Sequence, residues 1–173
     1  MRDSIIPVSS GPGVLARHST APSEDSDVAA GPLGFLCFKL GDQEYGIDLD
    51  IVGQIVKPPP VTCVPRLEPH ILGIVSIRGA VVTLVDLRQL MNLEPTPWPR
   101  SARILIVEMK GEQIGLLVDS VTQVRRINAA DLETSPALRE NPQADHVLFV
   151  ARPEPDQLII VIDLDIIIGE KLR

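Results

Sequence analysis

The sequence is poor in aromatic residues, which make up 3% of its 173 positions with Trp98 the single tryptophan, so its 45% hydrophobic content is carried by Ile, Val and Leu. Short runs of Val and Ile favour sheet. Clustered positive charge is also missing. The formal net charge is −7, and binding to a phosphate backbone needs Lys and Arg in groups that release counterions, so a nucleic-acid ligand is not expected. Cysteine is scarce: Cys37 and Cys63 stand far apart with no Cys-x-x-Cys spacing, which argues against zinc or a redox pair and for two buried thiols in a reducing compartment. The N-terminus carries no apolar stretch of signal-peptide length, and no run approaches the ~20 residues of a membrane helix. The expectation is a cytosolic protein.

Catalytic templates are missing as well. The sequence holds no phosphate loop of the G-x-x-x-x-G-K-[ST] type, no G-x-G-x-x-G after a strand, no G-x-S-x-G elbow and no H-E-x-x-H. His18, His70 and His146 are isolated, whereas a metal site needs three or four converging ligands. The pairs Asp48/Asp50 and Asp163/Asp165 have the form of carboxylates for acid/base work or Mg²⁺. Each falls where a strand is expected to end, however, and capping accounts for that placement better.

What is present is organised around residues 70–91, HILGIVSIRGAVVTLVDLRQLM. Two apolar runs, 71–77 and 80–85, are broken by Arg78-Gly79, and a charged residue followed by Gly between β-branched runs is a hairpin signal because Gly accepts positive φ. The strands are apolar at nearly every position, which suits strands covered on both faces, and Arg78 is displayed at the turn. Asp86 is placed to cap a short helix over 87–91. Upstream, strands are expected over 35–40 and 43–48, then a short helical turn and another strand before Pro58-Pro59-Pro60. A further apolar run follows over 61–64, and one helical turn over 69–72. Residues 94–100, with three prolines and Trp98, read as a linker. Residues 1–33 begin with a stretch rich in Ser, Pro, Gly and Ala that cannot bury enough apolar area to offset ordering, and form a disordered tail.

From Arg103 the pattern begins again. At an offset of 69, FLCF at 35–38 pairs with ILIV at 104–107, Gly46 with Gly115, Asp50 with Asp119, and Val52 and Ile55 with Val121 and Val124. At an offset of 77, VVTLVDL from Val81 pairs with LIIVIDL from Leu158. Two repeats of four or five short strands, each followed by a short helix and lacking long amphipathic helices, predict an all-β protein: two packed five-stranded β-barrels related by internal duplication. The expected division is 34–95 for the first barrel and 96–173 for the second, with exchange of their ends left open.

The run LGDQEYGID at 40–48, the V-x-x-I of Val52 and Ile55, the G-x-x-x-x-R-G of 73–79 leading into VDLR at 85–88, and IGLLVDSV at 114–121 resemble the CheW family of chemotaxis coupling adaptors. The resemblance runs from about Gly34 to the C-terminus. It implies a non-catalytic scaffold without cofactor or metal, located in the cytoplasm at membrane-associated receptor arrays, linking methyl-accepting chemoreceptors to the histidine kinase CheA through the regulatory domain of that two-component system. It further implies protein-binding roles for Arg78 and Gly79 at the turn and for Val52, Gly73 and Val81 on an apolar surface that receives the receptor tip or the kinase barrel, with Ile55 and Val124 as further protein-binding positions. Three positions depart from the family: Gln54 where Glu is common, Ser76 where Asn is common, and Arg103 where an apolar residue suits kinase docking. An adaptor dedicated to another chemosensory system, in motility or development, is the alternative, and a carboxylate-based metal-dependent enzyme a remote one.

Overall fold

The computed structural model describes residues 31–134 and 146–171. The expected tail falls almost wholly outside the described residues, as does most of the loop before the last hairpin. The strands are β1 (Leu33–Leu40), β2 (Gln43–Asp48), β3 (Val52–Val56), β4 (Ile71–Ile77), β5 (Ala80–Asp86), β6 (Arg103–Met109), β7 (Glu112–Val118), β8 (Ser120–Ile127), β9 (Leu132–Glu133), β10 (Val147–Glu154) and β11 (Gln157–Ile162). Two helices, α1 (Leu87–Leu90) and α2 (Leu164–Lys171), follow the last strand of each repeat.

The strands form a six-stranded sheet in the order β8-β1-β2-β11-β10-β9 and a five-stranded sheet in the order β3-β6-β7-β5-β4. The division at 95/96 does not separate the sheets. β3, β4 and β5 of the first repeat sit with β6 and β7 of the second, while β8 to β11 sit with β1 and β2, so the exchange takes more than the ends. Pairing follows the repeat residue by residue: Val52 and Ile55 face Val107 and Leu105, and their counterparts Val121 and Val124 face Phe38 and Leu36. The parallel pairs Gly46–Val161 and Gly115–Leu84 correspond in the same way. Exchange satisfies the third strand of each half on the first strand of the other, and it leaves the two sheets mutually dependent.

Side-chain alternation divides the apolar residues into three cores. Phe35, Cys37, Ile127, Ala151, Ile159 and Val161 fill the inside of the six-stranded sheet. Val75, Val82, Leu84, Ile104, Ile106 and Leu117 fill the inside of the five-stranded one. The opposite faces, including Leu36, Phe38, Ile47, Val85, Leu105, Leu116 and Ile162, meet between the sheets with α1 and α2. Among the described residues each ladder has two ends, β8 and β9 in one sheet and β3 and β4 in the other. A Cβ on Gly46 would lie 3.3 Å from the Ile159 side chain, and one on Gly115 3.0 Å from that of Ile104, so both repeats keep glycine where opposing side chains fill the interior.

Local expectations met the structure unevenly. Asp86 caps α1 by accepting from the Arg88 and Gln89 N–H groups. The helical turn expected over 69–72 is a hydrogen-bonded turn, Ile71 N–H to the Glu68 carbonyl at 2.9 Å, after which Ile71 and Leu72 already belong to β4. The apolar run 61–64 pairs only at Thr62, which bridges Ile74; prolines on both sides deny it a longer ladder. Cys63 within it is exposed, so only Cys37 is a buried thiol. The hairpin is covered on both faces only at the inner end of β5, and Ser76, Ala80 and Val81 are exposed.

Candidate protein-binding site

The tip of the β4–β5 hairpin is built by its two turn residues. Arg78 has φ 49° and Gly79 φ 84°, the paired positive values of a type I′ turn, whose twist matches that of the flanking strands. A non-glycine residue in this region is held at a cost of about 1 kcal/mol or more. Arg78 is exposed and makes no hydrogen bond or ion pair with another described residue. Next to the tip, Val81 is 70% exposed, the highest value among the exposed large hydrophobic residues described, and stands opposite exposed Ser76 in the ladder.

The other expected positions are distributed. Val52 and Ile55 lie on β3, an edge of the same five-stranded sheet. Val52 packs on the core between the sheets, and Ile55 is exposed. Gly73 is buried in β4 with φ 143°, and a Cβ there would lie 2.3 Å from the Thr62 carbonyl oxygen. Its glycine is required by the crossing of the 57–70 segment. Val124 is brought together with none of these, since it lies on β8 at an edge of the six-stranded sheet. It is the repeat counterpart of Ile55.

Two features lay beyond sequence reasoning. The segment after β3 exposes Val61, Val64 and Leu67 beside β4; the flanking prolines were the available signal. The supposed linker is pinned: the Arg88 guanidinium lies 4.4 Å from the centroid of the Trp98 ring, donates to the Thr96 carbonyl at 2.9 Å and pairs with Asp119. The Asp119 carboxylate also accepts from the Gly41 N–H at 2.7 Å, and its carbonyl accepts from the Ser101 hydroxyl at 2.9 Å. Asp119 therefore ties the β1–β2 turn, α1 and the start of β6 together at the crossover between β7 and β8.

The aspartate pairs act as caps. Asp48 Oδ1 accepts from the Asp50 N–H at 2.9 Å and Asp163 Oδ1 from the Asp165 N–H at 2.8 Å. Among the described residues no three His, Cys, Asp or Glu side chains are grouped to hold a metal ion. His70 is buried, with no partner for Nε2 among the described residues. Burial pushes the Cys37 thiol up to about 11, with Glu44 adding to the shift and Arg125 opposing it, and burial likewise raises Tyr45. No described helix is long and apolar enough to cross a membrane.

An interlocked, two-sheet β scaffold with exposed aliphatic side chains on its edge strands, and a guanidinium unpaired among the described residues beside an exposed valine, is the class of protein the geometry describes. Comparison with known proteins gives this class its family: a CheW-like domain matches residues 34–171, and the chain belongs to that family. It is 27% identical over 138 residues to the chemotaxis protein CheW of Bacillus subtilis, covering 79% of this chain and 86% of that protein. It is 32% identical over 125 residues to protein FrzA of Myxococcus xanthus, covering 71% and 76%. The crystal structure of the scaffolding protein TtCheW from Thermoanaerobacter tengcongensis superposes with a TM-score of 0.71 at 29% identity, covering 79% of this chain and 92% of that one. The protein is a non-catalytic scaffold of chemotaxis-type signalling, which together with the capping geometry sets aside an enzyme working through its aspartate pairs.

Proposed function

We propose that this chain couples chemoreceptor-type proteins to a histidine kinase of the CheA type, in the cytoplasm at receptor arrays that it reaches through its partners. The observation that carries the reading is the Arg78 guanidinium, held on a type I′ turn without a partner among the described residues next to exposed Val81. Interface energy concentrates in a few central residues, Arg often among them. Val52, Ile55 and Val124 on edge strands supply apolar contact for a partner's β structure or helical tip, while Gly73 shapes the surface by letting the 57–70 segment cross close to β4. A scaffold that favours one kinase state shifts its equilibrium through differential affinity alone, so no active site is needed.

A second reading, an adaptor for a separate chemosensory system with its own kinase, rests on the three departures from the family pattern at Gln54, Ser76 and Arg103. Affinity capture from the native cell, followed by identification of the bound kinase, separates the two. Recovery of the kinase of the main chemotaxis system supports the first reading and recovery of another the second. Recovery of no histidine kinase contradicts both.

A further inference from the structure

We propose that the outer edge of β8 is the docking site for an acidic run in this chain's own N-terminal segment, Glu24, Asp25 and Asp27. Among the described residues β8 has a strand neighbour on one side only, β1. At eight residues it is the longest edge of either sheet: β3 has five, β9 two, and β4 is bridged by Thr62. Unpaired edges of this length invite pairing unless they are covered or charged. Val124 on this edge is 54% exposed.

The charges of β8 are unequal. Arg125 donates to Gln157 Oε1 at 2.6 Å and lies 3.4 Å from Glu154 Oε1. Arg126 is exposed and has no acidic partner among the described residues. In a chain of net charge −7, an unpartnered cation on an open edge attracts the nearest acidic run that can reach it.

Reach is short. The first residues of β1, Leu33 and Gly34, face Ile127 and Arg126. Passing from β1 to the far side of β8 spans two strand spacings, about 10 Å, which three or four extended residues cover. Residues 29–32 are enough for that distance, which leaves 24–27 within reach of 123–126. The run SEDSD is a poor strand former, so the contact is electrostatic, carboxylates on Arg126 and on the free N–H groups of β8, and not an added strand. The plainer role for Arg126, a charge that blunts the edge, predicts that the tail's carboxylates are irrelevant. The proposal does not depend on which partners the scaffold binds.

The test is hydrogen exchange of segment 119–128 in the full chain at low salt. Wild type is compared with the Glu24→Gln/Asp25→Asn/Asp27→Asn variant, which alters nothing in the described fold, with exchange of β6 and β7 as the control for folding. The proposal expects β8 exchange about threefold or more slower in wild type, the difference lost at about 0.5 M salt and lost in Arg126→Glu. Equal exchange in wild type and the neutralised variant overturns it. So does protection that rises with protein concentration, which would assign the edge to a second copy of the chain.

Discussion

The chain crosses between its sheets at two places related by the repeat, and the two crossings are built in opposite ways. After β2, a 3-10 turn over Leu49–Ile51 is held by Asp48 capping the Asp50 N–H, and Asp50 itself is exposed. After β7, the single residue Asp119 makes the crossing and is buried, with Arg88, Gly41, Ser101 and the Lys39 carbonyl around it. At an offset of 69 Asp50 is the counterpart of Asp119, and at 77 Asp165 is the counterpart of Arg88. Both first-named residues are exposed and acidic. One crossing therefore rests on a local cap, the other on a buried ion pair between distant parts of the sequence.

The largest expected effect breaks the buried crossing. Asp119→Ala leaves the Arg88 guanidinium buried without its carboxylate, and should cost about 3–5 kcal/mol in denaturant unfolding, whereas Asp50→Ala should stay within about 0.5 kcal/mol. Equal costs would show that the crossings are not different in kind. Gly115→Ala forces a Cβ against Ile104 and should cost about 1–3 kcal/mol, with Gly46→Ala cheaper because its contact is looser. The caps test the local side of the contrast: Asp48→Ala should cost about 1 kcal/mol. Thiol labelling adds a kinetic check. At pH 8 a thiol titrating at about 11 is roughly one part in a thousand thiolate, so buried Cys37 should resist labelling while exposed Cys63 reacts. Raising the pH towards 11 should speed Cys37, and Asp119→Ala should speed it at constant pH by loosening the fold.

Much of the fold was legible because its signals are local. Strand periodicity, the Arg78-Gly79 turn, the Asp86 cap and the glycines matched at an offset of 69 all appear within a few residues of the features they specify. The exchange of strands was not legible at its full extent. A repeat shows which strands correspond but not whether β3 pairs within its own half or on β6, since either pairing satisfies the same alternation. The Arg88–Asp119 pair escaped for the same reason: each residue stands in an ordinary local motif, and only the packed fold brings them together. Trp98 read as part of a linker because the surrounding prolines speak louder in sequence than a single ring that packs on a distant arginine. Of the expected site, Arg78, Gly79 and Val81 form one surface, whereas Gly73 serves backbone clearance and Val124 belongs to the other sheet.

The central claim is that Arg78 serves a partner and not the fold. Titration calorimetry of this protein into the regulatory domain of the histidine kinase proposed as its partner, with Arg78→Glu beside wild type, tests it directly. The account predicts affinity lowered about tenfold or more with an unchanged unfolding midpoint. Equal affinities, or a loss of binding that tracks a loss of stability, would contradict it.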